Sequence, residues 1–283
     1  MKLAGTVILY YPDINLMARI KTYINMLEVL YVVDNTESND INIKNEILKY
    51  QKVKYLHDGK NKGIAMRLNE VAETAIKDGH SALLTMDQDS SFDLNMAQQY
   101  LDCIENFTSY KITAMFGVEF LHQPQLSTCT SEKVSELITS GSILNLDLFK
   151  NIGKFDEKLF IDYVDHEYCY RAITRGYDII KLKNIFLQHS VGETVRKRSP
   201  VSLKYTERSF HSSVRIYYMV RNYLYVKSRY NNSFPVEMKH QQKSILTRIK
   251  NKLLYSNERF KLLRLIFRAF KDYKQERMGK MEL

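Results

Sequence analysis

Short apolar runs rich in β-branched residues alternate with helix-length segments over the first 190 residues of this chain. The clearest helical segment is 63–77, where apolar residues recur at helical spacing. A second helix is predicted over 164–175, with Gly176 as its C-cap. The alternation is typical of βαβ units and predicts an α/β domain with a mostly parallel, Rossmann-like central sheet. The predicted strands are 6–11, 29–34, 53–57, 82–86, 112–120, 137–144 and 179–185.

Beyond Gly192 the pattern changes. The segment from Arg196 to Pro200 is basic, contains a helix breaker, and is predicted to be a mobile loop. Helical patterns then predominate, at 209–230 and 241–273. We therefore predict two regions, an α/β catalytic domain at 1–200 and a helical C-terminal extension at 201–283.

The C-terminal region is strongly basic. Residues 239–283 hold 13 Lys or Arg against four Asp or Glu, which is +9 of the formal net charge of +10. A basic amphipathic region suits the headgroups of an anionic membrane, whereas a helical hairpin packed on the domain and an oligomer contact are the alternatives. Nucleic acid is not expected, because the basic and aromatic residues match no RNA-binding module. The apolar stripe is predicted to comprise Ile245, Ile249, Leu253, Phe260, Leu263, Phe267 and Phe270.

The sequence also limits where the protein is expected to reside. The apolar run 6–11 is too short for a signal peptide, and no segment approaches the ~20 apolar residues of a membrane span. Cys103, Cys129 and Cys169 form no CxxC pair, so neither a disulfide framework nor a zinc site is indicated and a reducing compartment is favoured. We expect a cytoplasmic protein, peripheral at the inner face of the plasma membrane.

Polar residues follow two predicted elements where open α/β sheets bind ligands. Asp34 and Asn35 end a strand, so Asp34 could accept from a ribose hydroxyl or a base N–H, although Asp-Asn is also a common turn. Asn61 and Gly63 precede the 63–77 helix, whose N-terminus suits a diphosphate. Capping by Asn61 is the alternative.

Two carboxylates, Asp87 and Asp89, follow the strand 82–86 with Gln88 between them. In an extended segment both would face the same side, and paired hard oxygens bind Mg²⁺ or Mn²⁺. A solvated turn is the alternative. His189 follows another apolar run and is either a further metal ligand or a structural residue.

Acidic residues also cluster at the start of the 164–175 helix. The helix dipole favours acids there, so part of the cluster is expected only to cap. One carboxylate, Asp165 or Asp162, could instead be a general base that activates an attacking hydroxyl.

Taken together, these segments resemble glycosyltransferase family 2, and more narrowly the bacterial rhamnosyltransferases of O-antigen and cell-wall polysaccharide synthesis. The resemblance covers about residues 5–225 and implies a GT-A fold. It rests on the segments 32–35, 61–65, 86–90, 141–142, 160–167 and 189–193.

The resemblance implies a role for each residue. Asp165 would be the catalytic base, with Asp162 as the second candidate. Asp89 and His189 would hold Mn²⁺ or Mg²⁺, with Asp87 a weaker ligand that also contacts the ribose side of the nucleotide. The other nucleotide-binding residues would be Tyr10, Asp34, Asn35, Asn61 and Gly63, and the residues facing the sugar or acceptor Gln88, Gly141, Ser142 and Glu167.

The implied reaction is an inverting transfer from a nucleoside-diphosphate sugar. L-rhamnose from dTDP-rhamnose is favoured, and a galactofuranosyl or other hexosyl transferase using a UDP-sugar is the alternative. The acceptor would be a polyprenyl-diphosphate-linked glycan or an oligosaccharide. A nucleotidyltransferase would need a glycine-rich phosphate loop that residues 10–13 do not supply. A non-catalytic basic protein that binds membrane or nucleic acid is the remaining alternative.

Overall fold

The computed structural model describes residues 1–38, 40–93, 95–120, 128–189, 194–198, 205–209 and 211–282. Side chains of residues 189, 194–198 and 205–209 are outside this description. The chain divides into two compact units, which we describe separately. The first comprises Met1–Phe160 and Val164–His189, and the second Ile161–Tyr163 and Ser190–Leu283.

In the part of the chain that the structure describes, the first unit is built on a nine-stranded sheet, as expected for an α/β fold. Its strands are β1 Leu3–Leu9, β2 Val29–Asp34, β3 Val53–His57, β4 Ala82–Asp87, β5 Ser90–Phe92, β6 Thr113–Glu119, β7 Ser131–Lys133, β8 Ser142–Asn145 and β9 Asp178–His189. The order is β3-β2-β1-β4-β8-β6-β9-β5, and β7 also pairs with β9.

Strands β3, β2, β1 and β4 are mutually parallel, so their carboxyl ends lie at one edge of the sheet. Strand β8 is antiparallel to β4 and begins at that same edge. It is shorter than the predicted 137–144, because residues 139–141 instead form a turn bonded to the end of β4. Strands β2 and β4 are almost fully buried, as expected for a sheet covered on both faces.

Helices pack on this sheet. They are α1 Leu16–Lys21, α2 Ile41–Ile47, α3 Ile64–Lys77, α4 Met96–Glu105, α5 Leu146–Ile152 and α6 Val164–Thr174. Helix α3 buries Leu68, Val71 and Ala72, the face that its periodicity predicted. Gly176 follows α6 with a φ of 85°, the left-handed conformation expected of a glycine C-cap.

Cys103 of α4 is joined to Cys129 by a disulfide, with an S–S distance of 1.99 Å. The prediction that no disulfide is present was therefore wrong. The fold brings the two α-carbons to 5.6 Å across 26 residues of chain, which their wide spacing did not reveal. The cysteine argument for a reducing compartment is withdrawn, since disulfides are typical of oxidising ones.

Within its described residues, the second unit contains a hairpin and three helices. The hairpin pairs β10 Thr194–Arg198 with β11 Tyr205–Ser209, antiparallel. The predicted loop at 196–200 was therefore wrong for 196–198, which form a strand, whereas 199–200 lie outside the described residues. The helices are α7 Ser213–Tyr230, α8 Pro235–Tyr255 and α9 Arg259–Lys274. None of the helices among the described residues combines the length and apolarity needed to cross a bilayer.

Candidate active site

Four of the predicted site segments lie at the carboxyl edge of the sheet, namely 32–35, 61–65, 86–90 and 141–142. In the strand register Asp34 of β2 pairs with Leu9 of β1, and Asp87 of β4 pairs with Ile8 on its other side. Neighbouring strands are ~4.8 Å apart, so the backbones of Asp34 and Asp87 are roughly 10 Å apart across β1. Open α/β sheets bind ligands at this edge.

The Asp34 carboxylate is anchored by its own surroundings and is only 4% exposed. One oxygen accepts from the backbone N–H of Thr36 at 3.0 Å and from its hydroxyl at 2.6 Å. The other accepts from the Tyr55 hydroxyl at 2.6 Å. Asp34 therefore organises the turn after β2, and its contact with a nucleobase stays a prediction.

Asn35, Asn61 and Gly63 lie together before α3. The Asn35 side chain donates to Asn61 Oδ1 at 3.0 Å, and that oxygen also accepts the Gly63 N–H at 3.1 Å. Gly63 has a φ of 81°, and a Cβ there would clash with the Phe160 ring. The next N–H, of Ile64, donates to the Phe160 carbonyl at 2.7 Å. A glycine is required here because Phe160 packs directly against the start of α3.

A buried arginine that the sequence analysis missed holds this loop. Arg67 donates from Nε to Asn35 Oδ1 at 3.0 Å and from Nη2 to the Lys60 carbonyl at 2.7 Å. It also pairs with Asp58 and with Glu70. Lys62 bonds the same two carboxylates, at 2.6 and 2.7 Å.

This ionic cluster shifts the pKa values of its acids. Hydrogen bonds from Arg67 and then Lys62 hold the pKa of Asp58 far below its usual range. Burial raises the pKa of Glu70, but hydrogen bonds from Lys62 and Arg67 outweigh it and lower the pKa. Both carboxylates are therefore ionised at neutral pH.

Gln88 and Asp89 form the turn between β4 and β5. The segment is therefore extended only as far as Asp87, so strand alternation does not by itself place Asp87 and Asp89 on one face. The Gln88 side chain accepts from the Tyr10 N–H at 2.7 Å and donates to the Tyr10 carbonyl at 3.1 Å. This pair of hydrogen bonds resembles the pairing between neighbouring strands and joins the end of β1 to the turn.

The Gly141-Ser142 segment lies against the other side of β4. The Gly141 N–H donates to the Thr85 carbonyl at 2.8 Å. Ser140, which the sequence analysis did not single out, has its hydroxyl 2.7 Å from that of Ser90 and 3.4 Å from the Asp87 nitrogen. Gly141 has a φ of 72° and is packed against Leu187 and Val118. Through these hydrogen bonds the segment stabilises the Asp87–Asp89 turn.

Asp165 lies in the first turn of α6. Its Oδ1 accepts from the backbone N–H of His166 and contacts the ring Nδ1, each at 2.9 Å. The other ring nitrogen is 3.8 Å from Glu136. Burial raises the pKa of Asp165, but the charge and hydrogen bonds of His166 outweigh it and hold the pKa below its usual range. This carboxylate is ionised at neutral pH and can accept a proton.

Two other acids of the cluster have charged partners. Glu167 is buried and forms a two-pronged pair with Arg171, at 3.0 and 2.7 Å. Asp162, which belongs to the second unit, pairs with Arg215 of α7 at 3.2 Å. Asp162 and Tyr163 both have a left-handed φ, 61° and 69°, a strained conformation that clusters at functional sites.

Hard oxygen ligands for a divalent cation are present at the turn. Asp87 and Asp89 are half-buried carboxylates of the type Mg²⁺ and Mn²⁺ prefer. The backbone of His189 pairs with Ser90, next to Asp89, but its side chain is outside the described atoms. Among the described side chains, no group of three or more His, Cys, Asp or Glu is placed to hold a metal ion.

Comparison with known proteins decides the enzyme class. The chain is 27% identical to dTDP-rhamnosyl transferase RfbF of Shigella flexneri over 236 residues, 77% of each protein. The glycosyltransferase TarS of S. aureus, solved as residues 1–349 in complex with UDP-GlcNAc, superposes with a TM-score of 0.53 at 16% identity. That match covers 97% of this chain and 81% of TarS 1–349.

The chain is a glycosyltransferase with a GT-A fold. A second structural relative, GalNAc-T7 with UDP, GalNAc and Mn²⁺, has a TM-score of 0.53 at 11% identity. The match covers 66% of this chain but only 43% of that one. At such identities the structural likeness concerns the fold. No protein-family model matches the chain. The predicted resemblance to rhamnosyltransferases and the predicted fold are confirmed.

Several residues that stabilise the glycosyltransferase site could not be identified from sequence motifs. Arg67 lies three residues from Glu70, an ion-pair spacing on α3 that could have been noticed. Ser140, Tyr55 and Glu136 carry no such local signal. Their partners Ser90, Asp34 and His166 lie 50, 21 and 30 residues away in the chain and become neighbours only in the folded unit.

The bridge between Gln88 and Tyr10 can be tested with Gln88→Leu. We expect unfolding free energy to fall by about 1–2 kcal/mol, because two hydrogen bonds are lost, and donor affinity to fall with it. Urea unfolding and nucleotide titration measure the two effects. Gln98→Leu, which removes one exposed side-chain bond on α4, is the control. Unchanged stability in Gln88→Leu would show that the bridge does not hold β1 to the turn.

Proposed function

We propose that this glycosyltransferase moves a sugar from a nucleoside-diphosphate donor to a glycan acceptor with inversion at the anomeric carbon. The proposed donor is dTDP-rhamnose, which would supply L-rhamnose, because the relative RfbF is named a dTDP-rhamnosyl transferase. The observation that carries the proposal is the Asp87-Gln88-Asp89 turn at the carboxyl edge of a GT-A sheet, in a chain similar to that relative.

The proposed nucleotide site is the edge formed by the ends of β1, β2 and β4. Tyr10 and Tyr11 present exposed rings there, 4.7 Å apart in an edge-to-face pair. Such rings offer a surface on which a nucleobase can stack. Asp34, Asn35, Asn61 and Gly63 would shape the rest of the site, with Asp87 on the ribose side.

Asp89 and His189 are proposed to hold Mn²⁺ or Mg²⁺, with Asp87 as a weaker ligand. The two carboxylates fit such an ion because they are hard, anionic and close in the chain. The bound cation would supply positive charge to the diphosphate. The two carboxylates themselves repel a phosphate, so the donor is expected to bind poorly when divalent cations are removed.

Asp165 is the proposed base. An acceptor hydroxyl would give its proton to the Asp165 carboxylate while its oxygen forms a bond to the anomeric carbon. The bond from that carbon to the nucleoside diphosphate breaks, and the diphosphate leaves with the electron pair. His166 keeps Asp165 ionised and oriented for this step. Gln88, Gly141, Ser142 and Glu167 remain the proposed sugar and acceptor region, acting through the geometry they maintain.

The acceptor is proposed to be a polyprenyl-diphosphate-linked glycan or an oligosaccharide of a surface polysaccharide. We propose that the protein works in the cytoplasm, peripheral at the inner face of the plasma membrane, and this proposal rests on its charge, since the cysteines no longer support it. The basic region 239–283 supports this location, since it carries nearly all of the net charge.

A thermal-shift panel tests the donor. We expect dTDP and dTDP-rhamnose with Mn²⁺ to raise the melting temperature, by the stabilisation of about 2.7 kcal/mol that ligand at 100 times its Kd supplies. UDP and UDP-sugars are expected to stabilise less, and EDTA to remove most of the shift. A larger shift with UDP-sugars would replace the rhamnosyl assignment with a hexosyl or galactofuranosyl transfer. No shift with any nucleotide would contradict the proposed function.

A further inference from the structure

Helix α9 has one face buried in the second unit and an opposite face that is apolar yet exposed. Its buried face contributes Leu262, Ala269 and Asp272, and the Asp272 carboxylate accepts from the buried Tyr217 hydroxyl of α7 at 2.8 Å. The exposed face carries Phe260 (88% exposed), Leu263 (51%), Phe267 (74%) and Phe270 (46%). These four residues, the α9 stripe, lie within about 80° of one another on a helix of 3.6 residues per turn.

The structure separates the α9 stripe from the rest of the predicted apolar stripe. Ile245 of α8 is buried, and Ile249 and Leu253 are half-buried, so these three pack within the unit. The exposed face of α8 is different in kind. Its apolar Val236 and Leu246 alternate with Lys239, Lys243 and Lys250 along a single face.

Basic residues border the α9 stripe. Helix α9 contains six Lys or Arg and one acid, Asp272, which is buried. Beside the stripe lies a cavity of about 870 Å³, which Phe267 helps to line. Its described lining has seven basic side chains against three acidic ones. Those nearest in sequence to Phe267 are Arg264, Arg268 and Lys271.

We propose that the α9 stripe inserts into the headgroup region of an anionic lipid leaflet, with α9 lying in the plane of the membrane. The occupant is a lipid surface because large exposed aromatic rings bordered by cations match the apolar and anionic layers of such a leaflet. Lipid phosphates would lie against the basic cavity beside Phe267. This proposal rests on the membrane location given under the proposed function, and it assigns the membrane contact to α9 rather than to α8.

The chain contains no Trp, so Phe267→Trp creates a single fluorescent reporter in the full-length protein, and Val236→Trp is the matched control on α8. With phosphatidylglycerol-containing vesicles we expect a blue shift for Phe267→Trp and quenching by brominated lipid. We expect neither for Val236→Trp, and no shift with phosphatidylcholine alone. A shift at both positions, or at Val236→Trp alone, overturns the assignment to α9.

A second pair of variants measures the contribution of the stripe. Phe260→Ser with Phe267→Ser should reduce partitioning onto anionic vesicles by about 10- to 100-fold, because binding scales with buried apolar area. Val236→Ser with Leu246→Ser, also exposed, should change it less than about threefold. Equal binding by both double variants overturns the proposal. A blue shift of Phe267→Trp that grows with protein concentration in the absence of lipid also overturns it, in favour of a second copy of the chain.

Donor binding separates this inference from the proposed function. The Phe260→Ser and Phe267→Ser double variant is expected to bind nucleotide and metal like the original protein, since both side chains are exposed in the second unit. Vesicle binding through α9 without any nucleotide binding would leave the inference intact and refute the proposed donor. Nucleotide binding without vesicle binding would do the reverse.

Discussion

Replacing Asp165 with Asn should lower the turnover of sugar transfer by about 10²- to 10⁴-fold, the contribution of a positioned general base. Asn keeps the shape of the side chain and an oxygen that can accept the His166 N–H, which now lies at 2.9 Å. It cannot take a proton from the acceptor. Donor affinity should therefore be unchanged, and only turnover should fall.

The measurement is steady-state transfer beside nucleotide titration in the same variant. Asp162→Asn is the matched control, because Asp162 was the second candidate and pairs with Arg215. Full loss in Asp162→Asn with near-normal turnover in Asp165→Asn would move the base to Asp162. With Asp165 as base, protonation below its lowered pKa removes activity, so this group should cause no loss between pH 7 and pH 5.

The second large effect is expected from Arg67→Met, which should lower the free energy of unfolding by about 2–4 kcal/mol, because several charge-assisted hydrogen bonds are lost. Met matches the length of the side chain but donates no hydrogen bond. Its loss leaves Asn35 Oδ1 and the Lys60 carbonyl without the donors they now have from this residue. Asp58 and Glu70 also lose one cationic partner each.

The effect should depend on pH with a defined sign. The pKa values of Asp58 and Glu70 are lowered in the folded protein. Their stabilising contribution is therefore complete above the unfolded carboxyl pKa of about 4 and is lost as the pH falls below it. Arg67→Met should show a smaller stability difference between pH 7 and pH 3 than the original protein.

Urea unfolding at the two pH values measures both effects. Arg175→Met is the matched control, because Arg175 is exposed and donates to the carbonyls of Asn151 and Ile152. It should cost about 1 kcal/mol or less. If Arg67→Met cost no more than this control, the cluster would not be what holds the loop before α3.

Much of the fold could be predicted from local sequence. Strands 29–34 and 53–57 match the observed bounds of β2 and β3, and the predicted helix 63–77 differs from α3 by one residue. Strands β1 and β9 depart further from their predicted bounds, and β5 and β7 were not predicted. The reason is clearest for strand β8. Its predicted first half bonds instead to Thr85, a partner more than 50 residues earlier that no local pattern reveals.

The candidate site divides in the same way. Its acids were found because carboxylates at strand ends and helix starts are local features. Their surroundings were not found. Gln88 bonds to Tyr10 and Cys103 to Cys129, and each of these pairings depends on which elements the fold makes neighbours. Glu167 pairs with Arg171 four residues later on α6, a spacing that is already present in the sequence.

The stretch Asp87-Gln88-Asp89 shows the division within three residues. Its chemistry is a property of the residue types, since two carboxylates after an apolar strand favour a divalent cation in any fold of this class. Its geometry is not. Strand β4 ends at Asp87. The side-chain amide of Gln88 forms hydrogen bonds through both its oxygen and its nitrogen with Tyr10, at the end of β1, because the parallel register places Ile8 beside Asp87. Periodicity acts over a few residues, whereas that register joins segments almost 80 residues apart.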